Sequence, residues 1–571
     1  MSGRYLCFVR STRGDEARSR PPPGAPMGFR AALATETLSL FINDQLAFAP
    51  ADEDGYAILG IAFPYDASRA RPANAKALLE SAWGMFVGFR AGPGGEISIV
   101  RDPSGQLPCF YRADGAGWII ASDLDLLRAA DRQTFDIDWD EVADELLFPN
   151  HFSARTALAG VRELLAGEIL VISGSRLRTE VAWSPWDHAG APIGQRPEAV
   201  ERLRQSFALV HEAIADRFPR SLITVSGGLD SSIVATQMSL HTAGARHLTF
   251  YTPSDPLGDE RSYARVVAEA CAAPLTEAPY AAANFAINCR TDMPLPRLTH
   301  RTIAGLMNAR IADEAFLGGH DAILGGFGGD NIFHAGAAAY ALGDRIDGGA
   351  GFRAVLETMR DLRKLTSASY IDLLRHGAKV STRRWRRAKA APWPRQPAFL
   401  SPAIADRNKP GNLHPWLTAP AGAASGSAAH VASLLASHVY LERMPRASGP
   451  AHIWPLLLAP IVETCLAIPS WLWCADGKDR SIARMAAPAL PPMIATRRSK
   501  GSPMAMHSCY FEMHRDEISR FLCDGMLSEH GIVDADAIRR YCERPPPVRD
   551  LEYLRILELA DAEIWCRSHA A

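Results

Sequence analysis

The sequence predicts a mixed chain, with an α+β region over residues 1–185 followed by an α/β region over 198–571 built on a parallel sheet. Three observations carry this reading. Short apolar runs such as EISIV (96–100), FYR (110–112), WIIAS (118–122) and EILVIS (168–173) alternate with the glycine turns AGPGG and DGAG, which is strand-and-turn chemistry. From residue 198 the period changes, and Leu203, Phe207, Val210, Ile214 and Phe218 fall on one helical face. SLITV (221–225), the turn SGGLDSS and the helical pattern IVATQMSLHTA then follow in the order of a βα unit. HLTFYT (247–252) and ERSYARVVAEACAA (260–273) repeat that order, and DAILGGFGGD (321–330) reads as a third strand entering a second glycine turn. The Pro/Gly-rich SPWDHAGAPIGQRP (184–197) marks the boundary.

Composition narrows the function classes. The 571 residues allow two or three domains with substantial cores. A net charge of -2 gives no basic footprint, so no nucleic-acid partner is expected. The ten cysteines form no C-x-x-C pair and no zinc-ligand cluster, which fits reduced thiols in a cytoplasmic protein. The start, MSGRYLCFVRSTRGDEARSR, breaks into charges before a secretory apolar core can form. Residues 454–475 are apolar over a membrane-crossing length, but Pro455, Pro460, Pro469 and Glu463 interrupt them, so buried core segments are expected and no membrane partner. Residues 376–430, with RRWRRAK, many prolines and AGAASGSAA, read as a mobile exposed loop; a contact surface for a peptide or partner protein is the alternative. DLEYLRILELADAEIW (550–565) reads as an amphipathic terminal helix.

Three segments carry chemistry. In Ser226-Gly227-Gly228-Leu229-Asp230-Ser231-Ser232, the glycines let backbone approach an anion and the helix start points its N–H groups at it. Ser226, Ser231 and Ser232 add hydroxyl donors for a pyrophosphate, and Asp230 suits a magnesium ion bridging to it. This is not a Walker A loop, because its G-K-[ST] ending is absent. Gly325-Gly326-Phe327-Gly328-Gly329-Asp330-Asn331 closes another strand, so Asp330 would meet Asp230 across one Mg2+ at the carboxyl ends of the sheet. Arg497-Arg498-Ser499-Lys500-Gly501-Ser502 supplies cations for charge developing on an α-phosphate or an oxyanion. Each segment also has a bland reading: a surface turn for the glycine loops, a solvated face for the basic run.

Together, SGGLDSS, GGFGGD and RRSKG resemble, in this order, the synthetase domain of the asparagine synthetase family, an adenine-nucleotide α-hydrolase-like fold. The resemblance implies ATP and Mg2+ as co-substrate and metal. It places ATP on Ser226, Gly227, Gly228, Asp230, Ser231 and Ser232 with Gly325 and Gly326, the metal on Asp230 and Asp330, and the lysine acting on the intermediate at Lys500. PLLLAPIVETCLAIP (455–469) and DRSIARMAAPALPPMI (479–494) look like further family segments. WGMFVGF (83–89) and RDPSGQLPCFY (101–111) resemble the family's N-terminal glutaminase, an N-terminal-nucleophile (Ntn) hydrolase-like domain. Its catalytic cysteine at position 2 is replaced by Ser2, the nearest cysteine, Cys7, is internal, and the Arg-Gly-Pro-Asp and Asn-Gly-Glu glutamine-binding segments have no counterpart. The domain is then expected to be inactive, and the amine must come from elsewhere.

Two branches of the family use another amine, lasso peptide cyclases and β-lactam synthetases. RDPSGQLPCFY, the preceding WG and the GGDN form of the second loop look most like the cyclases, which join a peptide's N-terminal amine to an Asp or Glu side chain as a macrolactam. That implies a precursor peptide as substrate, with a leader peptidase and a leader-binding protein as partners. Phe327 stands where asparagine synthetases carry Glu and β-lactam synthetases Tyr, so the base for the amine stays open. Glu463, a lone carboxylate in an apolar stretch with an expected raised pKa, is one candidate, and a structural Glu is the other. The rivals are a β-lactam synthetase or asparagine synthetase-like ligase on a small substrate, a tRNA-modifying enzyme of the same fold, and a non-catalytic scaffold.

Overall fold

Strand and helix patterns settle into two antiparallel sheets and one parallel sheet. The computed structural model describes residues 3–10, 28–51, 55–65, 72, 74–115, 117–131, 134–151, 153–252, 258–279, 295–298, 302–385, 393–441, 449–498, 501, 504–546 and 550–570. In the N-terminal part, one sheet orders Arg162–Glu163, Phe110–Ala113, Gly117–Ala121, Tyr5–Arg10, Leu38–Asn43 and Phe29–Ala34 side by side. The other orders Arg176–Val181, Glu168–Ser173, Ile97–Arg101, Ala82–Ala91, Ala57–Pro64 and Phe48–Ala49. Period-2 alternation builds the core between them. Tyr5, Cys7 and Ile120 from the first sheet meet Val87, Ile99 and Leu170 from the second. The outer faces are covered as well: Trp83, Phe86 and Val100 join the core of the C-terminal half, while Leu6, Phe110 and Ile119 pack with the C-terminal helices.

The parallel sheet has strands β1 (Ser221–Thr224), β2 (Arg246–Tyr251), β3 (Leu275–Pro279), β4 (Ala322–Gly325) and β5 (Ala451–Ile453), in the order β3-β2-β1-β4-β5. The outer strands β3 and β5 escaped the sequence reading because LTEAP and AHI are too short to show a period. The first helix, α1 (Arg196–Arg217), starts with a proline in its first turn. The predicted stripe Leu203, Phe207, Val210, Ile214 and Phe218 is buried, and packs with β1 and β4 residues in one core. Strand order reverses between β1 and β4, the position where open α/β sheets bind ligands.

Two expectations about the later chain are resolved differently. Residues 454–475 are broken into short buried helices, as expected from their prolines, and among the described residues no helix is long and apolar enough to cross a membrane. Residues 376–430 are not one exposed loop, although 386–392, which hold most of the basic run, lie outside the described residues. A helix covers Tyr370–Trp385, Trp416 is buried against Trp183 and His438, and AGAASGSAA enters the helix Ser425–His438. Within that run, Gly426 is required for close packing. A Cβ on Gly426 would sit 2.2 Å from Asp344 Oδ2, which accepts the Gly426 N–H.

A buried ion cluster ties the N-terminal sheets to the segment 295–298. Glu163 Oε1 accepts from Arg101 at 2.6 Å and Oε2 from Arg297 at 2.8 Å, and all three side chains are nearly inaccessible. Burial pushes the Glu163 carboxyl up, but Arg297 and Arg101 outweigh it and hold its pKa below the ordinary value. The stability this gives is therefore full above the ordinary glutamate range and is lost as pH falls through the lowered value. Glu163→Gln leaves two guanidiniums short of their counter-charge and should cost about 3–5 kcal/mol, read from denaturant unfolding at neutral pH. The difference from wild type should shrink in acid.

Candidate active site

Both glycine loops leave the same end of the sheet because β1 and β4 are adjacent and parallel, with Thr224 in register with Gly325. The first loop turns at Gly227, whose φ of +70° favours glycine and whose missing Cβ avoids Tyr263 Cβ at 2.3 Å. Helix α2 (Leu229–Ser239) starts at Gly228 without a side-chain cap, and its first residues, Gly228 to Ser231, line the cleft. Ser226 and Ser231 hold one another, Oγ to Oγ at 3.3 Å, and both line the cleft. Ser232 does not do the same. It is fully buried and donates to Gly228 O at 2.7 Å, so it braces the loop from behind instead of offering a donor to phosphate.

The second loop touches the first through backbone. A Cβ on Gly326 would lie 2.2 Å from Ser231 N, and one on Gly329 would lie 2.3 Å from Asp230 Cγ. Gly325 is a spacer as well, since its Cβ would meet Thr224 Oγ1 and the Trp454 ring, each at 2.8 Å. Gly326 faces the cleft, whereas Gly325 and Gly227 act behind it. This contact brings Asp230 and Asp330 together. Nη1 of one guanidinium, Arg480, donates to Asp230 Oδ1 at 3.2 Å and to Asp330 Oδ1 at 2.5 Å. Two carboxylates that share one nitrogen also suit a single hard divalent cation with oxygen ligands, so these residues fit Mg2+.

Arg480 was not singled out from the sequence; it lies inside DRSIAR, where nothing local distinguishes it. Arg497 was, and the structure gives it a different task. Its guanidinium donates to Gly227 O at 2.9 Å and to Glu260 Oε1 at 2.5 Å, and stacks on Tyr263 with 3.6 Å to the ring centre. It pins the first loop. Lys500 lies outside the described residues; its neighbours Arg498 and Gly501 line the cleft, and Gly501 N donates to Glu260.

Glu463 is elsewhere. It sits on the helix Ala459–Leu466, does not line the cleft, and accepts from Trp183 Nε1 at 2.9 Å and Tyr65 Oη at 3.1 Å, both from the N-terminal part. Burial raises its pKa, against His188 and these two donors. It joins the two halves of the molecule, and of the two readings offered by the sequence these hydrogen bonds fit the structural one. The shift was foreseeable from an apolar run; the direction in which the side chain points was not.

The cleft measures about 1360 Å³, above the roughly 300–1,000 Å³ usual for ligand pockets. Its lining combines Ser226, Asp230, Ser231, Arg480 and Arg498 with Thr249 to Thr252 at the end of β2, and with residues of the C-terminal helices, apolar (Met506, Leu554, Ile564) and charged (Arg555, Glu558, Asp561). Phe327 lines it too, 5.1 Å from the Trp454 ring. Gln106, from RDPSGQLPCFY, fixes Trp454 by accepting its N–H at 2.8 Å and donating to its carbonyl at 3.1 Å. The N-terminal part thus braces the cleft wall.

Gly326→Ala should force the two loops apart and abolish ATP–pyrophosphate exchange while the far-UV circular dichroism stays native. Glu463→Gln should lower turnover by less than about tenfold, where loss of a general base costs roughly 10²–10⁴.

No curated protein matches the chain in sequence. The family model described as asparagine synthase matches residues 210–567, which takes in both glycine loops, Arg480 and the basic segment. On that match and this geometry, the chain belongs to the asparagine synthase family, whose chemistry is ATP-dependent amide formation.

Proposed function

We propose that the chain closes a macrolactam in a precursor peptide, as lasso peptide cyclases do. The observation that supports this is the cleft of about 1360 Å³, large for a small-molecule pocket, whose lining joins Ser226, Asp230, Ser231 and Arg480 to side chains of the C-terminal helices. An Asp or Glu side chain of the peptide attacks the α-phosphorus of ATP. The C–O–P bond of an acyl-adenylate forms and pyrophosphate leaves against Ser226, Ser231 and the amides opening α2. Mg2+ held by Asp230 and Asp330 would neutralise phosphate charge. The peptide's N-terminal amine then attacks the acyl carbon, with Lys500 in the role of oxyanion stabiliser, and AMP departs. Holding amine and activated carboxyl on one folded peptide makes the step effectively unimolecular. Apolar lining such as Phe327, Trp454 and Ile494 would limit water near the adenylate.

The N-terminal sandwich is read as an Ntn-hydrolase-like domain without glutaminase activity. Cys7 cannot replace the missing nucleophile, because it is fully buried in a strand and burial pushes its thiol well above the ordinary value. Ser2 lies outside the described residues. A leader peptidase and a leader-binding protein would deliver the peptide in the cytoplasm, where ATP is supplied.

Incubation with MgATP and a candidate precursor should give a product lighter by one water, with AMP and pyrophosphate released. ADP as product would exclude adenylation, and turnover of a free amino acid in place of the peptide would favour a small-substrate ligase. Asp230→Ala and Asp330→Ala should each remove pyrophosphate release, and full activity in either would exclude that residue as a metal ligand.

A further inference from the structure

The carboxylate pair assigned to the metal is already bridged by a cation of the chain itself. Arg480 Nη1 reaches both oxygens of Asp230, at 3.2 and 3.3 Å, and Asp330 Oδ1 at 2.5 Å. The other edge of the guanidinium is anchored separately. Its Nε donates to Asp479 Oδ2 at 2.8 Å, and Asp479 Oδ1 accepts from Arg484 Nη2 at 3.1 Å. Arg484 is immobile in turn, donating to the carbonyls of Asp479, Ala495 and Arg497. Arg480 thus has a fixed edge and a bridging edge. Its backbone is left-handed, with φ 50° and ψ 38°, a conformation a non-glycine residue keeps only where its surroundings impose it.

We propose that Arg480 is a placeholder for the divalent cation. It neutralises the Asp230–Asp330 pair while the nucleotide is absent, and yields the pair to Mg2+ when a polyphosphate enters and accepts the freed Nη1. The proposal rests on the ligase reading above. A guanidinium and a divalent ion repel each other and compete for the same oxygens, so they cannot both bridge the pair. The Nε–Asp479 contact is the pivot, since it lies on the opposite edge and need not break. Arg480 lines the same cleft as Ser226 and Ser231, so the released group stays within the cleft. Metal and nucleotide binding become coupled, and free metal alone binds poorly.

The test is Mn2+ titration of the full chain, followed by electron paramagnetic resonance, with and without α,β-methylene-ATP. Wild type should bind Mn2+ tightly only with the nucleotide. Arg480→Gln should bind Mn2+ alone at least about tenfold more tightly than wild type, within the 5–150-fold span of ordinary coupling. Arg480→Lys keeps the charge but lacks the fork, so it should tighten binding by less; it carries the test if the glutamine variant does not fold. Asp330→Asn should weaken Mn2+ binding in every background. Equal nucleotide-free affinity in wild type and both variants would overturn the placeholder alone. Absence of Mn2+ binding to wild type even with the nucleotide would overturn the ligase reading, and the placeholder with it.

Discussion

Backbone contact between two glycine loops at the carboxyl ends of adjacent parallel strands is the constraint on which the rest of the site depends. Parallel pairing of β1 with β4 delivers the loops to the same edge. It does not by itself bring Asp230 and Asp330, 100 residues apart, onto one ion. The absence of Cβ atoms at Gly326 and Gly329 does that, letting the second loop lie directly on Asp230 and Ser231. A side chain at Gly326 would occupy space held by backbone, which cannot rotate away, and one at Gly329 would displace the Asp230 carboxylate. The convergence of Asp230 and Asp330, and the ability of one cation to bridge them, follow from that approach.

The N-terminal sandwich acts on this site through packing. Its two outer faces are completed by the C-terminal half, so each half supplies part of the other's core. Polar contacts then fix the register: Gln106 on the backbone of Trp454, Trp183 and Tyr65 on Glu463, and Arg297 threaded onto Glu163. Removing a domain bonded in this way would expose apolar surface and strand buried charges. The N-terminal sandwich therefore has a physical reason to be kept that does not depend on any catalysis of its own.

Charge in the cleft is organised by position more than by number. Arg497, Arg484 and Arg480 belong to one short stretch, yet each has a separate role: the first holds Gly227 and Glu260, the second closes the chain around Asp479, and the third faces the paired aspartates. Arginine suits all three because its planar fork can bridge several acceptors at once.

Much of this was legible in the sequence. The helical stripe of α1, the strand–glycine–helix order around 221–232 and the two aspartates at strand ends each leave a local signature, because a period or a glycine turn is set by neighbours along the chain. Interruption by proline likewise foretold that residues 454–475 would be core and not a long helix. Only the tertiary structure decided which charged side chains face the cleft. Glu463 and Ser232 are hydrogen-bonded within the fold and do not line the cleft, AGAASGSAA reads as an open loop but enters a helix, and Arg480 carries no local signal. Side-chain direction depends on partners more than a hundred residues away, such as Asp230 for Arg480 and Trp183 for Glu463, and no local pattern records those distances.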